Sequence, residues 1–272
     1  MSPFGRILVP LDGSARAEAI LPWIERFPAS EIRLLHVCAE ETGRQEATAY
    51  LSGAADRLHA SAAAIDIQVV VGAPAEAIVT AASEASLIAM CTQGAGGGGR
   101  LVYGSVADRV ARHAPVPALL FRGGSDPVSL GEVRRIVVPL DGSATSRRAL
   151  PLAETIAQIV GAPIHLVTVI EPGAPAEATT APGDRAPTVS TTAAVEIASL
   201  ADHLQRHHLQ TTTEIRSGDP AAELLQTIAA GDIIVATTHG RGTARRWKVG
   251  HVADRLLRRA AAPLLLIRAD AD

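Results

Sequence analysis

The chain has 272 residues, 47% of them hydrophobic, enough to bury a core in one large domain or in two ordinary ones. A net charge of -3 and an aromatic content of 3% argue against a nucleic-acid partner, and no apolar run of about 18 residues or more is present to span a membrane. Cys38 and Cys91 form neither a CxxC nor a zinc pattern and read as buried thiols, while the only lysine, Lys248, lies outside any GxxxxGK[ST] motif, which excludes a P-loop.

In chain order, MSPFGRILVPLDGS has no basic segment followed by an apolar stretch, so the expected compartment is the cytoplasm. The first strand is predicted near 6–10, ended by Pro10, with a helix over 14–27. Strands follow near 31–37, 66–71, 87–91 and 117–121, with helices near 46–63, 74–84 and 105–113. RGGSDPVSLGE at 122–132 reads as a linker. ILVPLDGS of 7–14 then returns as IVVPLDGS at 136–143, an offset of 129. GSVADRVARHAPVPALLFR at 104–122 returns as GHVADRLLRRAAAPLLLIR at 250–268, an offset of 146. The 17 extra residues place an insertion in the second copy, at EPGAPAEATTAPGDRAPTVSTT (171–192), whose Pro, Ala and Thr bias reads as surface linker. Strands near 134–139, 163–169, 210–216, 232–237 and 263–267 complete the second copy. Strands alternating with helices imply parallel pairing through right-handed crossovers, hence two α/β domains, 1–124 and 132–270.

In an open parallel sheet, ligands bind beyond the carboxyl ends of the strands, at the switch point beside the first strand. Asp12 and Asp141 lie there and admit two readings. Each can accept hydrogen bonds from ribose hydroxyls or an adenine amino group, or each can shape its turn while Ser14 or Ser143 caps the next helix. After the fourth strand, Gly94, nine residues (AGGGGRLVY) and Gly104-Ser105 open a helix; the second copy has Gly240, nine residues (RGTARRWKV) and Gly250-His251. Glycine admits close backbone approach, and a helix N-terminus offers unpaired N–H groups and about half a positive charge, which makes an anion cradle without lysine. A solitary loop of this kind would read as a turn; recurrence at identical spacing favours the cradle.

The basic run Arg241, Arg245, Arg246 and Lys248 reads as a solvated face or as charge-assisted phosphate contacts, and His239 has no acid or nucleophile beside it in sequence. His203, His207 and His208 fall on one predicted helix. The i,i+4 spacing of His203 and His207 suits a metal, but no acidic third ligand is near in sequence, so the pair reads as a surface feature and no metal is expected.

PLDGS after the first strand, the Gly-x9-Gly-Ser loop and the closing APVPALLFR together resemble the universal stress protein family, over nearly all of both halves. The resemblance implies two tandem Rossmann-like domains, each with a five-stranded parallel sheet and helices on both faces. It implies an adenine-nucleotide site formed by Pro10, Asp12, Val37, Gly94, Gly97, Gly104, Ser105 and Val106 in the first copy, and by Asp141, Val169, Gly240, Gly250 and His251 in the second. The ligand it implies is ATP, or ADP or AMP, with Mg accompanying ATP, held by a regulatory or sensor module. The family's Gly-x2-Gly-x9-Gly-Ser/Thr pattern has Cys91 and Thr237 in place of its first glycine, and His251 in place of its hydroxyl, so the first site is expected to be the better one. A slow ATPase and a nucleotide-free interaction protein are the alternatives, since no GxSxG, Cys/His pair, paired carboxylates or metal cluster supports turnover. The resemblance further implies that the two domains pair through their last strands. PALLF at 117–121 and PLLLI at 263–267 are apolar enough to need such cover, giving an intramolecular pseudo-dimer with room for a further homodimer.

Overall fold

The computed structural model describes residues 4–25, 27–58, 61–92, 104–122, 133–172, 189–238 and 250–269. In the first half, β1 (Phe4–Pro10), β2 (Ala29–Cys38), β3 (Ala64–Val71), β4 (Leu87–Cys91) and β5 (Ala118–Phe121) form a wholly parallel sheet in the order β3-β2-β1-β4-β5. The second half repeats it with β6 (Arg135–Leu140), β7 (Ile164–Ile170), β8 (Thr211–Ser217), β9 (Asp232–Thr237) and β10 (Leu264–Ile267), ordered β10-β9-β6-β7-β8.

The inner strands β1, β4, β6 and β9 are largely apolar on both sides because helices cover both faces. Ile7 and Val9 of β1 belong to one buried cluster, shared with Trp23, Ile24 and Leu51; Leu8, between them, belongs to the other, shared with Ile78, Val110 and Leu120. The first cluster packs under α1 (Ala15–Glu18), α2 (Leu21–Ile24) and α3 (Arg44–Asp56). The second packs under α4 (Pro74–Ala81) and α5 (Ser105–His113). In the second half, α6 (Ala144–Arg147), α7 (Leu150–Val160) and α8 (Val189–Arg206) lie on the first side, and α9 (Pro220–Thr227) and α10 (His251–Arg259) on the second.

The helix expected over 14–27 is two short ones. Pro22 has no amide to give the Glu18 carbonyl and its ring crowds that carbonyl, so α1 stops at Glu18 and α2 starts afresh at Leu21. Pro151 breaks the second copy at the same place, between α6 and α7. The insertion expected as linker over 171–192 is helical from Val189, where α8 begins. Residues 173–188, like the linker residues 123–132, lie outside the described residues.

The halves join into one ten-stranded sheet through β5 and β10, which pair antiparallel. Leu119 faces Leu265, flanked by Leu120 with Leu264 and Ala118 with Leu266. By the repeat offset, Leu265 is the counterpart of Leu119, so a pseudo-twofold axis passes through this pair. All six residues are about 2% exposed or less. Above the seam the relation is repeated in charge. Arg112 binds Asp108 one turn away at 2.8 Å and approaches Asp254 of the other half at 3.6 Å, while Arg258 binds Asp254 at 2.9 Å and approaches Asp108 at 3.9 Å.

Candidate functional site

The carboxyl ends of β2, β1 and β4 stand side by side, as do those of β7, β6 and β9. Beyond β1 the chain turns through Gly13 at φ +84°, and beyond β6 through Gly142 at φ +78°, a conformation that glycine adopts without strain. Oδ1 of Asp12 accepts hydrogen bonds from the Ser14 amide at 3.0 Å and the Ser14 hydroxyl at 2.6 Å. Ser14 Oγ in turn accepts from the Ala17 amide and caps α1. Asp141, Ser143 and Ser146 reproduce the arrangement at 3.0, 2.6 and 3.0 Å. Both carboxylates thus order their turns, and they do so at the strand ends where the switch point lies.

Two residues beside the Asp12 turn escaped the sequence reading. His36 Nδ1 lies 2.8 Å from the Leu11 carbonyl, tying the end of β2 to the end of β1, and its ring meets Tyr50 edge-on at 5.7 Å. Burial raises the Tyr50 phenol, and the neighbouring Glu18 carboxylate raises it further, so it stays protonated. Neither residue has a motif to give it away; the β1–β2 register sets His36 beside Leu11, and the packing of α3 on β2 brings Tyr50 to it.

The Gly-rich loop begins and ends on one hydrogen bond. The Gly104 amide donates to the Thr92 carbonyl at 2.8 Å, and the Gly250 amide donates to the Thr238 carbonyl at 2.6 Å. Thr92 and Thr238 are buried and are themselves held by the last strand, through Phe121 and Ile267 carbonyls. A Cβ at Gly104 would stand 2.8 Å from the Thr92 carbonyl oxygen, so it is this backbone approach that demands glycine there. The sequence reading has the glycine admit a ligand; the backbone contact is a separate reason for glycine at this position. Gly94, Gly97 and Gly240, with His239, Arg241, Arg245, Arg246 and Lys248, lie outside the described residues.

Gly104 and Gly250 then serve as N-caps of α5 and α10, and among the described residues no side chain caps either helix. The amides of Ser105 and Val106, and of His251 and Val252, have no intrahelical acceptor by the geometry of a first turn. Ser105 and His251 are exposed at these openings. Val37 and Val106 border the same apolar cluster, and Val169 and Val252 border its continuation in the second half. Pro10, Asp12, Val37, Gly104, Ser105 and Val106 therefore gather around one end of the sheet.

Cys91, where the family pattern has glycine, ends β4 and is buried in the cluster that holds Ile20, Trp23 and Phe121. Burial pushes its thiol up to about 12, and the Asp12 charge adds to this. The second half differs more at its helix opening. Asp219 caps α9 through the Ala222 amide at 2.8 Å and holds Arg255 of α10 at 2.5 Å. Its carboxyl is held low chiefly by that amide, with help from Arg255 and from the charge of His251. The first half has Ala73 at this position and links the two helices instead by Arg109 and Glu76 at 2.9 Å. Among the described residues no group of three His, Cys, Asp or Glu side chains is gathered to hold a metal ion, and no helix is long and apolar enough to cross a membrane.

Comparison with known proteins bears on this arrangement. The universal stress protein family model matches residues 3–122 and again 132–268. A universal stress protein of Mycobacterium tuberculosis is 23% identical over 287 residues, covering 96% of each chain. The crystal structure of a universal stress protein from Archaeoglobus fulgidus superposes with a TM-score of 0.75 at 20% identity, covering 97% of this chain and 98% of that one. A second structure, from Pseudomonas aeruginosa, gives a TM-score of 0.68 at 15% identity over 98% of this chain. With one family model matched twice, over two doubly wound lobes that carry the same turn and the same glycine-started helix, the chain belongs to the universal stress protein family in its tandem form.

Proposed function

We propose that the chain binds an adenine nucleotide, ATP or its relatives ADP and AMP, as a regulatory module of stress response, and that the first lobe holds it more tightly than the second. The observation that carries this reading is the pair of helix openings at Gly104 and Gly250. Each lies at the carboxyl end of the sheet, each is pinned to a buried threonine carbonyl, and each starts on a glycine N-cap that has no side chain to fill it. First-turn amides at such an opening attract phosphate oxygens, with the helix dipole adding to them. The Asp12 carboxylate suits the ribose or adenine end, and Mg would enter with the phosphates of ATP.

The ranking of the lobes rests on charge and hydroxyl count. Ser105 can donate a hydroxyl where the second lobe has His251, and Asp219 sets a negative charge beside the second opening. A nucleotide-free interaction module is the competing reading; it draws on the engagement of Asp12 by Ser14.

Titration calorimetry of the full chain with ATP, with mass spectrometry of small molecules released from freshly purified protein, tests both. The nucleotide reading expects saturable binding that Asp12→Ala weakens more than Asp141→Ala. Absence of any adenine nucleotide from the purified protein, together with silent titrations for ATP, ADP and AMP, would leave the interaction module in its place. The opposite order of the two variants would reverse the ranking of the lobes.

A further inference from the structure

We propose that His203 and His207, with Glu154, form a binding site for a borderline divalent transition metal such as Zn2+ on the outer layer of the second lobe. The two histidines stand four residues apart at the end of α8. The last helical residue is Arg206, but the His207 amide still donates to the Leu204 carbonyl at 3.0 Å, so the turn continues. The two imidazole rings consequently lie close across one turn, tilted against each other, with centroids 4.4 Å apart and planes inclined by 54°. Two imidazoles on adjacent turns of one helix face are the arrangement by which helices chelate Zn2+.

The tertiary fold supplies what the sequence lacked. Glu154 of α7 places Oε2 3.6 Å from His207 Nδ1, its side chain 21% exposed beside a His207 that is 51% exposed. A carboxylate there can take the imidazole N–H and fix the ring for a metal on its other nitrogen. No three His, Cys, Asp or Glu side chains among the described residues are placed to hold a metal ion together, so the imidazole pair is the anchor and water fills the open positions. The helix end contributes as well. His208 turns the chain at φ +62° and the Leu209 amide returns to the Leu204 carbonyl, so the pair sits at the carbonyl end of α8, where the dipole favours a cation.

The site belongs to the second lobe alone. Leu58 is the counterpart of Leu204, which puts Arg57 and Ser61 where the second lobe has His203 and His207. It is therefore independent of the repeated turn and loop.

Calorimetric titration of the full chain with Zn2+ in a non-coordinating buffer tests the proposal. One saturable site is expected, weakened about tenfold or more by His203→Ala and by His207→Ala, and less by Glu154→Gln. The two histidines are exposed and Glu154 is partly buried, so thermal unfolding without metal serves as the folding control. Zn2+ should raise the midpoint of the native chain but not that of the His203→Ala/His207→Ala double variant. Zn2+ binding that survives intact in the double variant, or no saturable binding up to millimolar metal, would overturn the site and leave His207 and Glu154 as an ordinary side-chain contact.

Discussion

Gly104 and Gly53 are both glycines beside or within helices, and the structure gives them opposite roles. A methyl group at Gly104 meets a backbone oxygen at 2.8 Å, whereas at Gly53, inside α3, it meets nothing within 4 Å. Gly104→Ala should therefore cost about 1–3 kcal/mol, as a small overpacking against an atom that cannot swing aside. Gly53→Ala should stabilise by about 0.5–1 kcal/mol through helix propensity. Urea unfolding of the two variants checks both signs. Cys91 is a second case where environment decides the chemistry. With its thiol pushed up to about 12 by burial, it should resist alkylation in the folded chain at pH 8 and react at the ordinary rate once unfolded, as a chromogenic thiol assay would read. The sequence could show that two cysteines lacked partners, and hence that they were buried thiols. It could not show which contact made Gly104 a glycine, because the Thr92 carbonyl it avoids is brought back by the loop closure and not by any local pattern.

At the scale of elements, strand positions were legible because β1, β4 and β9 are short apolar runs between turn residues, while helix ends were less so. A period of 3.6 can be followed across Pro22, yet the missing amide stops the helix, and only weighing the proline against the pattern would have divided 14–27 in two. The ion pairs between α5 and α10 were invisible, since Arg112 and Asp254 are distant in sequence and the i,i+4 pairs Asp108/Arg112 and Asp254/Arg258 read as ordinary helix support. They make an acid-dependent contribution whose sign follows from the carboxyl shift. Arg112, by hydrogen bond and charge, holds the Asp108 carboxyl below its ordinary range, with Arg258 adding to this. A folded-state value below the unfolded one gives stability that is complete above about pH 4 and is lost as the pH falls through the lower, folded value. Asp108→Asn should accordingly lower stability at pH 7 and shrink the difference between pH 7 and pH 3, measured as urea midpoints at the two pH values. Equal pH sensitivity in the variant would show that the Asp108 pairs, within α5 and across the lobes, are too well solvated to matter.

For the molecule as a whole, the decisive contact is one that joins a residue to its own counterpart. Because Leu119 faces Leu265 on the pseudo-twofold axis, the two lobes use the same surface in the same way, and each hides an apolar edge strand that would otherwise be open to pairing. An aspartate at Leu119 would be buried without a partner beside Leu265, so Leu119→Asp should lower the unfolding midpoint strongly and swell the chain in small-angle scattering. Loss of stability alone would not identify the seam, since Leu119 also packs inside the first lobe. The informative variant adds Leu265→Arg. If the two side chains face each other as the antiparallel register requires, the new pair offsets part of the buried charge, and the double variant should be more stable than the sum of the two single changes by about 0.5–3 kcal/mol. Strict additivity would mean that positions 119 and 265 do not meet, and that the lobes are held together by something other than their last strands.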